Sequence, residues 1–287
     1  MRIALLGSNG QLGRDLAKNL ATHDVIGFTR EQFDVTDYGA TRSMLLDARP
    51  DVVLNTTAYH RVDDCETHPE TAYSVNVLAV LNLVRVASEA SALFVHFSTD
   101  YVFDGLQSAP YTEASAAMPL SVYGNSKLAG EYIVRSTAKR HLLVRTCGLY
   151  GAAGSRGKGG NFVEIMLAKA RAGESIQVVA DQVLTPTYTV DLAQQISLML
   201  DSGVSGLFHA TNKGACSWFE FAQAIFELAG VTANLSSTTS DLYRAPAIRP
   251  RYSVLENARL AELGLDRMRP WREALAAYLQ EKMSLGR

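Results

Sequence analysis

The sequence predicts an α/β fold, a doubly wound parallel sheet with a smaller α/β cap threaded through the C-terminal half. Three observations carry this. Short apolar runs recur through the first half in the manner of strands buried on both faces. Between them lie segments whose apolar residues recur three and four apart, as on a helix packed by one face. A glycine-rich turn joins the first run to the first helical pattern, which is the start of a right-handed β-α-β rhythm.

The runs are Ile3-Ala4-Leu5-Leu6, Val25-Ile26-Gly27-Phe28, Val52-Val53-Leu54, Leu93-Phe94-Val95-His96-Phe97 and Leu142-Leu143-Val144. The clearest helical segment runs from about Pro69 to Ala90, with Pro69 suited to a first turn and Ala72, Val75, Asn76, Ala79, Val80 and Leu83 on one face. Later helical patterns fall at 161–172, 189–201, 217–229 and 271–284, with apolar runs at Ile176–Val179 and Leu207-Phe208. Residues 1–150 are expected to form a dinucleotide-binding core with later returns near 174–205. Residues 151–287 would supply mainly the cap and a C-terminal helix, with no separating linker. The stretch 151–160, rich in glycine, has the composition of a mobile loop near a ligand.

Composition narrows the function. The 287 residues are 47% hydrophobic, enough for a substantial core. Lys+Arg number 27 against 29 Asp+Glu, a net charge of −2 that gives no bulk attraction to nucleic acid or an anionic membrane. The opening apolar run is too short for a membrane span, and no long uncharged apolar stretch is expected elsewhere. Cys65, Cys147 and Cys216 are widely spaced and form no CxxC pair, so neither a disulfide framework nor a cysteine zinc site is indicated. The expectation is a cytoplasmic protein without nucleic-acid or membrane partners.

Gly7, Gly10 and Gly13 are spaced GxxGxxG at the strand-to-helix turn. Such a turn offers free backbone N–H groups and a positive helix end to a pyrophosphate, the dinucleotide site of a Rossmann fold. Gly7, Asn9, Gly10, Gln11, Leu12 and Gly13 are therefore candidate cofactor contacts. At the end of the second strand Arg30 stands where NAD-selective sites usually carry an acid. An arginine there suits a 2′-phosphate and points to NADPH, with NADH left open.

Ser98-Thr99-Asp100-Tyr101 ends the fourth apolar run, and Tyr123-Gly124-Asn125-Ser126-Lys127 opens a later helix. The i, i+4 spacing puts Tyr123 and Lys127 on one face. A cation beside a phenol stabilises its ionised form, so Lys127 is expected to lower the Tyr123 pKa and make it usable for proton transfer.

In order and spacing these residues resemble the extended short-chain dehydrogenase/reductases, and more narrowly the dTDP-4-dehydrorhamnose reductase family over nearly the whole chain. The strings behind the narrower resemblance include Gly10-Gln11-Leu12-Gly13, Ser98-Thr99-Asp100-Tyr101-Val102-Phe103-Asp104-Gly105, Tyr123-Gly124-Asn125-Ser126-Lys127-Leu128-Ala129-Gly130-Glu131 and Asp181-Gln182. The resemblance implies NADPH-dependent reduction of the 4-keto group of a nucleotide-linked 6-deoxy sugar. It gives Thr99, Tyr123 and Lys127 catalytic roles. It places Asp34 and Val35 near adenine, with Asn55, Thr56, Thr57, Ala58, Tyr59 and Ser98 along the cofactor. Val62, Asp100, Tyr101 and Gly148 fall at the sugar, and Asn161, Phe162, Gln182 and Arg249 at the nucleotide diphosphate.

The sequence departs from that family at three places. Gly148 stands where the family carries a tryptophan, which is expected to widen the pocket. Leu184 replaces a glycine, and Arg249-Pro250-Arg251-Tyr252-Ser253 matches the family's C-terminal segment only in part. Some relatives place a metal-linked glutamate at a dimer interface near Asp15; no metal is expected here, and a homodimer is left open. The histidines show no ligand pattern, although His60 lies near the expected nicotinamide end. Two other functions use the same residues: epimerisation or dehydration with bound NAD, and a silent binding subunit like a family relative that serves S-adenosylmethionine synthase.

Overall fold

The computed structural model describes residues 1–32, 34–154 and 159–285. The first half runs β1 (Arg2–Leu6), α1 (Gln11–Asn19), β2 (Asp24–Phe28), α2 (Tyr38–Ala48), β3 (Val52–Asn55), α3 (Val62–Thr67), α4 (Pro69–Tyr73), α5 (Ala79–Glu89), β4 (Leu93–Thr99), α6 (Val122–Thr137) and β5 (His141–Thr146). It continues through β6 (Leu149–Tyr150), α7 (Phe162–Arg171), β7 (Ser175–Val179), β8 (Val183–Leu184), β9 (Thr187–Tyr188), α8 (Thr189–Asp201), β10 (Gly206–His209), β11 (Cys216–Ser217), α9 (Trp218–Ala229), β12 (Asn234–Thr238), α10 (Ser240–Tyr243), α11 (Ala258–Glu262) and α12 (Trp271–Leu285).

Six parallel strands form the central sheet in the order β10-β5-β4-β3-β1-β2. Alternation along each strand divides its side chains between two layers. Ile3, Leu5, Val52, Leu54, Val95, Phe97, Leu142 and Val144 meet α1 and α8 on one face. Ala4, Leu6, Val53 and Phe94 meet α2, α5 and α6 on the other. Because the order reverses between β1 and β3, the carboxyl ends of β1, β3 and β4 open onto the crevice where such sheets bind ligands.

The helical segment from Pro69 is continuous through α5, but a single π-helical turn, Ser74–Leu78, interrupts it. One extra residue in that turn brings the buried Asn76 toward the site. Within Pro69–Glu89 an 18-residue window reaches a mean hydropathy of 1.3, although Arg85 lies inside it, so the stretch is apolar but not uncharged. Its apolar side, from Ala79 to Ala87, is packed against the sheet layer.

The run at 176–179 does not enter the central sheet. It lies in β7, which pairs with β12, and the chain returns to the sheet through α8 and β10. A second core, built from α7, α9, α12 and β7, holds Val163, Ile176, Phe221, Ile225, Leu275 and Tyr278. In the expected loop 151–160, residues 155–158 lie outside the described residues.

Candidate active site

At the first turn the Gly7 and Ser8 amides both donate to the Phe28 carbonyl, and the Gly10 amide donates to the Gly7 carbonyl. Gly7 has φ +78°, and a Cβ on Gly13 would stand 2.1 Å from the Gly7 carbonyl oxygen. The spacing of the glycines is thus a packing requirement: only without side chains can the turn fold this closely under the start of α1. The resulting backbone cradle fits a dinucleotide pyrophosphate. Leu12 is buried, and the Gln11 amide donates to the Leu149 carbonyl, so these two anchor α1. Asn9 reaches Glu31, and Arg30 is exposed at the end of β2. Asp34 accepts from the Thr36 amide and hydroxyl; those bonds, helped by the nearby Arg30 charge, hold its carboxyl below the usual range. Val35 is buried against the α2 layer.

The segment after β3 is shaped by one side chain. Asn55 Oδ1 accepts from the Thr57 amide at 3.0 Å and from its hydroxyl at 2.6 Å. Thr56 Oγ1 donates to the Leu6 carbonyl, tying this segment to β1. Farther on, the Tyr59 amide donates to Asn76 Oδ1, while Asn76 Nδ2 donates to the Tyr59 carbonyl and to Ser126 Oγ. Asn76 therefore clips the 56–59 segment to α6. Sequence reasoning counted Asn76 as a position on an apolar face, although a polar residue in that pattern was a usable signal.

Ser98 and Thr99 end β4. Thr99 Oγ1 donates to Asp100 Oδ1 and accepts from the Tyr101 amide, capping a short 3₁₀ turn. Helix α6 begins with Ser121 as N-cap and carries Tyr123 and Lys127 on successive turns. A Cβ on Gly124 would stand 2.3 Å from the Tyr101 carbonyl, so the glycine after Tyr123 lets α6 approach the 3₁₀ turn. The Tyr101 and Tyr123 rings meet edge to face, with centroids 5.9 Å apart. Thr99, Tyr123 and Lys127 are thereby brought together at the carboxyl end of β4, beside the glycine turn and the 55–59 segment.

The electrostatics differ from the sequence expectation. Burial pushes the Tyr123 phenol up, and the largest opposing effect is a hydrogen bond with Thr99. Lys127 points elsewhere: its Nζ donates to the Phe97 carbonyl at 2.7 Å and lies 3.3 Å from His96 Nε2. Burial brings its own pKa down to about 8, against a smaller opposing effect of Glu131. In this structure desolvation outweighs the anticipated lowering of Tyr123 by Lys127.

Asp100 is buried, its carboxyl pushed up by desolvation, with Cys147, Ser253 and Thr99 around it. Ser98 Oγ, Thr146 Oγ1 and Asp100 Oδ2 are buried without a protein partner. Tyr101 and Val62 are half-buried at the edge of this region.

Gly148 corrects the widened-pocket expectation. It has φ +53°, and a Cβ on it would meet Leu184 Cδ1 at 3.0 Å. The two departures are coupled, because the buried Leu184 fills space beside Gly148.

The residues expected at the nucleotide are occupied with internal bonds. Asn161 caps α7 in a reciprocal box with Glu164, and its Nδ2 donates to the Gly151 carbonyl. Phe162 packs on Trp218 with centroids 4.6 Å apart. Gln182 Nε2 donates to Ser240 Oγ. Arg249 forms a bidentate pair with Asp63 and also donates to the Ala247 carbonyl. No group of three His, Cys, Asp or Glu suited to a metal occurs among the described residues. A cleft at the amino ends of the strands, lined by Met1, Asp51, Ser91 and His141, holds none of the candidate catalytic groups.

The family profile described as the RmlD substrate binding domain matches residues 1–284. The chain belongs to this family. It is 40% identical over 279 residues to a dTDP-4-dehydrorhamnose reductase of Mycolicibacterium smegmatis, covering 96% of this chain and 84% of the relative. It is 39% identical over 285 residues to the spore coat polysaccharide biosynthesis protein SpsK of Bacillus subtilis, covering 99% and 98%. Among solved structures, a dTDP-4-dehydrorhamnose reductase of Bacillus anthracis in complex with NADP superposes with TM-score 0.92 at 34% identity, covering 98% and 99%.

Proposed function

We propose that this member of the RmlD family is an NADPH-dependent reductase of the 4-keto group of a dTDP-linked 6-deoxy sugar, with dTDP-4-dehydro-L-rhamnose as substrate and dTDP-L-rhamnose as product. The observation that carries this reading is the convergence of Thr99, Tyr123 and Lys127 beside the glycine turn. NADPH supplies the hydride when bound.

The chain's own groups do the rest. Gly7, Gly10 and Gly13 let the pyrophosphate approach the backbone at the start of α1, whose first-turn amides lack an i−4 acceptor, while the Gly7 and Gly10 amides hold the turn itself. Arg30 reaches the 2′-phosphate from its exposed position. Asn9, Gln11, Leu12, Asp34, Val35, Ser98 and the 55–59 segment (Asn55, Thr56, Thr57, Ala58, Tyr59) complete that half of the crevice. Thr99 turns its hydroxyl from Asp100 Oδ1 to the carbonyl oxygen as negative charge grows there. Tyr123 gives that oxygen a proton, and the burial that raises its pKa keeps the phenol protonated and ready as an acid. Val62, Asp100, Tyr101 and Gly148 bound the sugar. Arg249 meets the diphosphate while Asp63 fixes its guanidinium. Asn161, Phe162 and Gln182 act by shaping the wall rather than by direct bonds, since their polar groups or rings are engaged within the protein. The reading is of a cytoplasmic biosynthetic enzyme.

Purified protein mixed with dTDP-4-dehydro-L-rhamnose and NADPH should lose absorbance at the reduced-nicotinamide band. No loss with this or any related dTDP-4-keto sugar overturns the proposal.

A further inference from the structure

His96 lies under α6, between the 55–59 segment and Lys127, and it is fully buried on the α6 side of β4. Its ring stacks on Phe94 at 5.9 Å between centroids. Asn55 Nδ2 is 3.1 Å from its Nδ1 and Lys127 Nζ is 3.3 Å from its Nε2. The hydrogen positions follow from the network. A backbone N–H can only donate, so the Asn55 atom facing the Thr57 amide is the carbonyl Oδ1, and the atom facing His96 is the Nδ2 donor. His96 Nδ1 must then accept. A neutral imidazole whose Nδ1 accepts carries its proton on Nε2, and that proton points at Lys127.

This arrangement discriminates between the two forms of the lysine. A neutral amine has one lone pair to accept from Nε2–H and a hydrogen to give the Phe97 carbonyl. An ammonium has no lone pair, so the same N–H faces a cation and the bond is lost. We propose that His96, with its tautomer imposed by Asn55, is a positioning residue for Lys127 that holds the amine against the Phe97 carbonyl and loosens its extra proton. Burial lowers the Lys127 pKa in the same direction, and the hydrogen-bond geometry is a separate cause acting beside it. The charged and titratable groups around this helix are Glu131 and Tyr123 on α6 itself, Arg145 on β5 spent on Glu131, and Glu66, Cys65 and Asp100 near the helix start; Asn76 faces it uncharged. Resting on the reading of Tyr123 as acid, the charge state of Lys127 one helical turn away sets the alkaline limb of turnover.

Nitrogen-15 spectra of histidine-labelled wild-type protein, without substrate, should show His96 protonated at Nε2 and bare at Nδ1, the reverse of His209, whose Nδ1 faces two carbonyls. His96→Gln, whose amide can turn its oxygen to the lysine, should raise the alkaline limb of the kcat profile by about one pH unit, with a smaller change in the NADPH KM. Asn55→Asp, an acceptor facing Nδ1, should flip the tautomer and raise the same limb. An Nδ1–H tautomer in wild type overturns the proposal whatever becomes of the variants. So does an unmoved limb in a folded His96→Gln protein. A wild type that turns over no dTDP-4-keto sugar defeats the reductase reading instead, and the tautomer measurement still decides this inference.

Discussion

Leu184 lies against the bare α-carbon of Gly148, its Cδ1 only 3.0 Å from where a Cβ would stand. A side chain at residue 148 must therefore displace Leu184 and also adopt a left-handed backbone, which costs a non-glycine residue about 1–2 kcal/mol. Gly148→Trp should lower stability by more than about 2 kcal/mol in urea unfolding. Combining it with Leu184→Gly should recover part of that loss. Simple additivity of the two changes would show that they do not share space.

Tyr123→Phe keeps the ring that packs edge to face on Tyr101 and removes only the hydroxyl. Turnover of NADPH with the keto sugar should fall by about 10²–10⁴-fold, the usual scale for a positioned acid. Thermal unfolding should change little. Equal rates for variant and wild type would remove Tyr123 from the mechanism.

Arg145 donates from Nε and one Nη to the two oxygens of Glu131, at 2.8 and 2.6 Å, with both side chains buried. Glu131→Ala leaves a buried guanidinium without its carboxylate and should cost about 3–5 kcal/mol. An apolar replacement of both partners should cost less than the single change. Chemical denaturation of the single and double variants measures the difference.

His209 is fully buried, and desolvation brings its pKa down from 6.5 to about 3, with Arg145 adding to the effect. Between those values the unfolded chain binds a proton that the native protein does not, so stability rises with pH through this window and is lost as pH falls below 6.5. His209→Gln removes one such site. Its stability should depend less steeply on pH between about 3 and 6.5 than the wild type, by up to one proton, or about 1.4 kcal/mol per pH unit. Urea titrations at a series of pH values provide the comparison.

The three cysteines are all buried, and burial pushes the Cys147 and Cys216 thiols up. A thiol reagent should label none of them in the native protein and all three after denaturation. Rapid native labelling of Cys147 would place it in an open pocket instead of a packed one.

Much of the fold could be read from the chain. The runs at Ile3, Val25, Val52, Leu93 and Leu142 became adjacent members of one sheet, and Pro69 did begin a helix. Periodicity reports burial, however, and not which sheet a strand joins. The run at Ile176 is apolar apart from Gln177 and forms a strand like the others, yet it pairs with β12 in the cap.

The spacing of Gly7, Gly10 and Gly13 and of Tyr123 and Lys127 is a local feature of the chain, and sequence alone determined it together with the family. Tertiary structure decided the electrostatic state of the site. His96 stands 41 residues from Asn55 and 31 from Lys127, and only the stacking of β3, β4 and α6 brings the three into one hydrogen-bonded row. Desolvation depends in the same way on what covers a group. An amphipathic pattern identifies Lys127 and Tyr123 as neighbours, but their protonation follows from the buried dipoles and missing water around them, which no linear spacing records.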